Sequence, residues 1–329
     1  MREFPFVEFV VAPSIVPQAY TTLPSPFGAK ALTPKDIIAG KSLLYKGVYH
    51  PVDCTVIQLP IASPLRSTLS RHRSTAITKV ILHTNDGAQD TSLTKNWDHF
   101  QQNANKDANS AIQTHFAVDK QGNIAQYHDM AVLCYHASLP DTMIAAVVGA
   151  RLATERQVAS MYNNLSVSIE VLVPKQTNVK VKNKTTGIDE FNQTLSDAQY
   201  EANLAAPGAW PRLSPFYAVY VTSTTATEGR RKSTLPRRYA PTNAQKDSIA
   251  RLLRAIKKVT GVVLRGIPTL PDHPGSMTRA NDDIPKYKWF TDPTLGVFHH
   301  CQLENNRVDV FGLGINEVLA GGTQRAGGD

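Results

Sequence analysis

The sequence predicts an α/β fold: a mixed central β-sheet flanked by helices, with an irregular N-terminal extension. Three observations predict it. Short apolar runs rich in β-branched residues, "AITKVILHT" and "NNLSVSIEVLV", read as buried strands. Two segments with a helical apolar period, "SLTKNWDHFQQNA" and "PTNAQKDSIARLLRAIKKVTG", read as amphipathic helices. Between the strands, "THFAVDKQGNIAQYH" reads as a hairpin turning at Lys120-Gln121-Gly122-Asn123.

The elements follow in order along the chain. Residues 1–75 carry Pro5, Pro13, Pro17, Pro24, Pro26 and Pro34 and read as an irregular extension or small accessory module, with a short helical turn at "TPKDIIAGK". Residues 76–290 hold the main domain. Its first strand ends at His83. In the helix that follows, Leu93, Trp97 and Phe100 share one face. The hairpin and the "SVSIEVLV" strand come next. A polar, punctuated insertion at about 175–240 includes the basic "EGRRKSTLPRR". In the second helix Ile249, Leu252, Leu253, Ile256 and Val259 share a face, Thr242 caps the start and Gly261 ends it. "VVLRGI" reads as a short strand leading into a loop, and residues 291–329 as a frayed tail.

Composition bounds the function. The chain has 329 residues, 42% of them hydrophobic, enough for a substantial core. The net charge of +8 suits an anionic partner such as nucleic acid, an acidic membrane face or bacterial cell wall. There is no aromatic-basic interleaving and no nucleic-acid motif, which argues against nucleic acid. Three cysteines without a CxxC pair exclude a disulfide scaffold and a thiolate zinc site. No run is long and apolar enough for a membrane span. The N-terminal "MREFPFVEFVVAPSIVPQAY" is broken by Glu3, Glu8 and prolines and makes a poor signal peptide. The expectation is synthesis in the cytoplasm.

Two histidines follow apolar strands, His83 after "KVIL" and His273 after "VVLRGIPTLPD". Strand ends face the sheet rim, where sites are built. Two imidazoles and one carboxylate, Asp282 or Asp283, would form a three-ligand zinc site with an open position for water. Such a water becomes a nucleophile near neutral pH. Glu170 interrupts an apolar strand. Alternation puts it with Ser166, Ser168 and Leu172, opposite Val167, Ile169 and Val171. A carboxylate there is costly unless paired or functional, and burial raises its pKa, which suits a general base.

These pieces, in this order, resemble the zinc-dependent N-acetylmuramoyl-L-alanine amidase family, which includes phage lysozyme amidases and animal peptidoglycan-recognition proteins. "VILHTNDG" resembles its first-ligand strand. "SAIQTHFAVDKQGNIAQYHDMAVLCYHA" resembles its hairpin and its "WHA" or "SHA" signature, here Tyr135-His136-Ala137. "NNLSVSIEVL" resembles the strand bearing the catalytic acid. "LPDHPGSMTRANDDIPKYKW" resembles the second histidine followed by "RKxDPGPxFxW". Anchoring on Trp289 puts Asp282 in the ligand place and Asp283 on the first proline.

The resemblance implies Zn2+ held by His83, His273 and Asp282, with Glu170 as catalytic base and proton shuttle. Ala280 falls where many members carry a catalytic lysine, which leaves the adjacent Arg279 as the cation that stabilises the oxyanion. It implies a substrate-binding group of His136, Thr114 and His115. His115 supports the site from behind its ligands, and Thr114 stands where the phage enzymes place a tyrosine. The implied substrate is peptidoglycan, cut at the bond between the lactyl group and L-alanine. A non-catalytic peptidoglycan-binding module is the alternative. A phage endolysin released by a holin, an injected antibacterial effector with an immunity or delivery partner, and a wall-recycling enzyme all fit the absent leader.

Overall fold

The computed structural model describes residues 38–61, 73, 75–84, 92–104, 112–137, 162–173, 178–182, 189–193, 201–202, 204–205, 208–211, 220–223, 231–234, 239–267, 290–303 and 313–324. Seven strands form one mixed sheet: β1 (Ile38–Tyr45), β2 (Val48–Gln58), β3 (Lys79–Thr84), β4 (Phe116–Val118), β5 (Ile124–Gln126), β6 (Ser166–Val171) and β11 (Val297–His299). Their order across the sheet is β1-β2-β5-β4-β6-β3-β11. Two separate two-stranded pairs, β7 (Asn178–Lys182) with β8 (Asp189–Gln193) and β9 (Tyr220–Ser223) with β10 (Arg231–Thr234), lie within the polar insertion. Part of its basic run, Arg231–Thr234, is thus a strand.

Alternation assigns the two faces of the sheet. Val80 and Leu82 of β3, Phe116 and Val118 of β4, and Val167, Ile169 and Val171 of β6 lie in one apolar cluster. Helix α2 (Asn243–Thr260) covers them with Ile249, Leu252, Leu253 and Ile256. Its start is a capping box: Gln245 N donates to Thr242 Oγ1 and Thr242 N to Gln245 Oε1. Its end is Gly261, whose φ of 79° is the left-handed conformation that glycine adopts without penalty. Helix α1 (Leu93–Ala104) packs on the other face, where Leu93, Trp97 and Phe100 meet Ala117, Ala125 and Tyr127.

Three parts of the chain differ from the sequence reading. Residues 38–58 form a regular hairpin, and the expected helical turn at "TPKDIIAGK" gives way to β1 over residues 38–41. The turn is Lys46-Gly47, both with positive φ, the two-residue geometry that matches strand twist. In β2 the buried Tyr49, Val52, Cys54 and Val56 alternate with more exposed neighbours, apart from one slip at His50-Pro51, and β2 pairs parallel with β5.

Second, "VVLRGI" is not a strand. Val262 and Ile267 are buried, but the place beside β3 belongs to β11. The segment is held instead by Gly296 N and Val297 N donating to Arg265 O. A side chain on Gly296 would meet Val263 O at 2.0 Å, so this approach requires glycine.

Third, the tail is built into the fold. It supplies β11, the single helical turn α3 (His300–Leu303) and helix α4 (Ile315–Gln324), which packs on α2; Ile315, and Leu313 just before the helix, join the apolar cluster there.

Candidate functional site

Three adjacent parallel strands end at one edge of the sheet. β3 pairs with β6 in a register that sets His83 beside Glu170. β11 pairs with β3, setting His299 beside Leu82. Continuing that register by one residue brings His300 beside His83. Because side chains alternate, Phe298 and His300 share the face of Ile81 and His83. His300, His83 and Glu170 therefore stand in a row at the carboxyl ends of β11, β3 and β6, where open α/β sheets place ligands. All three are buried.

The imidazoles are in contact. His83 Nδ1 lies 3.1 Å from His300 Nδ1. His83 Nε2 lies 3.0 Å from His136 Nδ1. The opposite nitrogen of His136, Nε2, lies 3.1 Å from Ser166 Oγ, and that hydroxyl donates to Tyr162 O. Asn163 fixes the backbone there: its Oδ1 accepts from His136 N at 3.0 Å and Ala137 N at 3.1 Å, and its Nδ2 donates to Ala137 O.

Behind this layer are His115 and Thr114, both fully enclosed. Thr114 Oγ1 and His115 N each contact Ser168 Oγ, at 3.0 and 3.1 Å, and Ser168 N donates to His115 Nδ1. Arg73 closes the base. Its guanidinium donates to Met130 O, Asn163 O and Asn164 O, and Nη2 stands 2.7 Å from His115 Nε2.

The electrostatics follow from burial. Desolvation brings Arg73 down to about 10. His136 is held well below the ordinary histidine range by burial first, then by His83, His115, Arg73 and His300. His115 is lowered by burial and then by Arg73. Burial raises the Tyr127 phenol well above its usual value, and Glu170 adds to the effect, so that carboxylate acts across the same face.

The residues predicted from the sequence divide in two. His83, Glu170, His136, His115 and Thr114 come together around one sheet edge. His273, Arg279, Asp282 and Asp283 lie outside the described residues. Sequence reasoning missed His300 and Arg73. A signal for His300 was present: "GVFHH" is an apolar run ending in histidine, as "KVILH" is. Asp309 also follows His300 at the same nine-residue spacing that separates Asp282 from His273. No comparable signal marks Arg73.

Two imidazole nitrogens sharing a tetrahedral zinc stand roughly 3.3 Å apart, given bonds of about 2.0–2.1 Å. The 3.1 Å between His83 Nδ1 and His300 Nδ1 is close to that spacing. The donor chemistry of this pair therefore fits zinc. Among the described residues no group of three such side chains converges on one point.

A family model described as N-acetylmuramoyl-L-alanine amidase matches residues 73–209. The match spans His83, Thr114, His115, His136 and Glu170 and ends before both His273 and His300. No curated protein matches the chain. Among solved structures the chain is similar to the endolysin N-acetylmuramoyl-L-alanine amidase LysCS from Clostridium intestinale, at 10% identity and a TM-score of 0.36, over 82% of this chain and 95% of that one. It is similar to Drosophila peptidoglycan recognition protein SD at 12% identity and a TM-score of 0.29, over 81% and 94%. For Drosophila PGRP-LB the identity is 13% and the TM-score 0.31, over 81% and 92%.

Proposed function

We propose that the chain, whose residues 73–209 match a family model described as N-acetylmuramoyl-L-alanine amidase, is a zinc-dependent peptidoglycan hydrolase. It cleaves the amide between the lactyl group of N-acetylmuramic acid and the L-alanine of the stem peptide. One observation carries the reading: His300, His83 and Glu170 stand side by side on three parallel strands at the ligand-binding edge of the sheet.

His83 would hold the metal through Nδ1. The 3.1 Å contact favours His300 as the second ligand. His273 with Asp282 is the alternative pair that the sequence suggests. Zinc in such a site lowers the pKa of a water and polarises a carbonyl.

The chain's own groups do the rest. Glu170, next to His83, takes a proton from the attacking water and delivers it to the leaving amine nitrogen as the C–N bond breaks. Arg279 supplies a fixed positive charge for the oxygen that becomes anionic. His136 stands against the other nitrogen of His83, and Thr114 and His115 brace the strands from behind.

The net charge of +8 suits an anionic wall polymer. No helix among the described residues is long and apolar enough to cross a membrane. We read the chain as a phage endolysin or an injected antibacterial effector that reaches the wall through a holin or a secretion system. An immunity protein would accompany the second role.

The test is zinc stoichiometry of the full chain with His83→Ala, His300→Ala and His273→Ala. Loss in the first two with retention in the third is expected. Loss in the third with retention in the second moves the site to His273. Wild-type chain that binds muropeptide yet leaves it intact would be a binding module of the same fold.

A further inference from the structure

We infer that Ser166 and His136 form a relay that sets the tautomer of His83, placing its proton on Nε2 and leaving the Nδ1 electron pair aimed at His300. The inference rests on the metal reading for its purpose, and on hydrogen-bond geometry and burial for its content.

Tyr162 O is a backbone carbonyl and can only accept. The Ser166 hydroxyl has one proton and gives it to that carbonyl. Ser166 Oγ therefore turns a lone pair toward His136 Nε2, 3.1 Å away, and that nitrogen must carry hydrogen.

His136 is buried, and among the described residues its ring nitrogens meet a hydroxyl and another imidazole. Among the described residues no carboxylate is hydrogen-bonded to it, so a buried positive charge there would lack a counter-ion among them. It is the neutral ring, protonated on Nε2 and bare on Nδ1. The bare Nδ1 faces His83 Nε2 at 3.0 Å, so His83 donates through Nε2. A neutral His83 is then unprotonated on Nδ1, the nitrogen 3.1 Å from His300 Nδ1.

The sequence supplies each link by spacing. Ser166 starts β6, four residues before Glu170 and on the same face. His136 is pinned by Asn163, three residues before Ser166 in sequence. A ligating histidine held by a partner on its other nitrogen is oriented and more basic. The usual partner is a carboxylate or carbonyl. Here it is a second histidine, itself anchored by a serine. His136 is on this account a positioning residue.

Tautomers are read directly from long-range 1H–15N correlation spectra of the metal-free, 15N-labelled full chain at pH 7.5. Expected are Nε2–H rings for His83 and His136. A His83 ring protonated on Nδ1 overturns the relay. Zinc affinity, measured by competition with a chromophoric chelator, gives the second readout. Ser166→Ala and His136→Ala are each expected to lose about 10- to 100-fold. His136→Asn keeps an acceptor oxygen near the position of Nδ1 and is expected to stay within threefold of wild type. Equal affinity in all four proteins overturns the relay. A wild-type chain that binds no zinc overturns the metal reading, while the tautomer spectra still decide the relay.

Discussion

The two faces of the central sheet have the same strands and opposite chemistry. On the face under α2, β3 and β6 present Val80, Leu82, Val167, Ile169 and Val171. On the other, the same two strands present His83, Ser166, Ser168 and Glu170, all buried. One face stabilises by removing apolar area from water. The other keeps buried polar groups that each need a partner, and this constrains their geometry. The division predicts that stability and activity separate by face.

The largest expected effect is on the polar face. Glu170→Gln keeps volume and burial but cannot take a proton. Turnover of purified wall, followed by stem-peptide release, falls about 10³-fold while zinc stoichiometry is kept. Wild-type lysis by this variant would remove Glu170 from the chemistry.

On the apolar face, Leu253→Ala opens a cavity where the side chain is fully enclosed. It is expected to cost 2–5 kcal/mol in denaturant unfolding, with zinc affinity unchanged. Loss of zinc affinity without loss of stability would contradict the division.

His128 sharpens the comparison through pH. It is buried, its Nε2 lies 3.0 Å from Gln113 Oε1, and burial lowers it to about 4. In the unfolded chain it titrates near 6.5 and binds a proton first. Its contribution is thus fully present above pH 6.5 and is lost as pH falls from there through about 4. The loss reaches about 3 kcal/mol. His128→Gln is expected to flatten that part of the stability–pH curve. A curve with the wild-type slope would show that other groups set it.

The smallest effect is at the helix start. Thr242→Ala removes the acceptor of Gln245 N and is expected to cost about 1 kcal/mol, with no change in metal binding. A change in zinc affinity here would mean that the two faces are coupled.

The same alternation decided what could be read from the sequence. Strands β3 and β6, the β4–β5 hairpin and both long helices were legible because their apolar period, turn residues and caps agree. Glu170 stood out because it breaks an apolar run. The β1–β2 hairpin was obscured by the prolines before it, although Lys46-Gly47 marks its turn.

His300 was harder for a different reason. Two segments of this chain place a histidine downstream of an apolar run and an aspartate nine residues after it. Local pattern does not say which of them lies beside β3. Pairing across more than 200 residues of sequence does: Val297, Phe298 and His299 take up that place against Val80, Ile81 and Leu82. Arg73 was not legible at all. Its role comes from three carbonyls brought together by the turns around residues 130 and 163–164.

The central claim is hydrolysis at one bond. Purified peptidoglycan digested with the zinc-loaded full chain and analysed by mass spectrometry tests it most directly. The account predicts free stem peptides that begin with L-alanine, and glycan strands whose lactyl groups end in a free carboxylate. Unchanged sugar-peptide in the presence of bound zinc would contradict it.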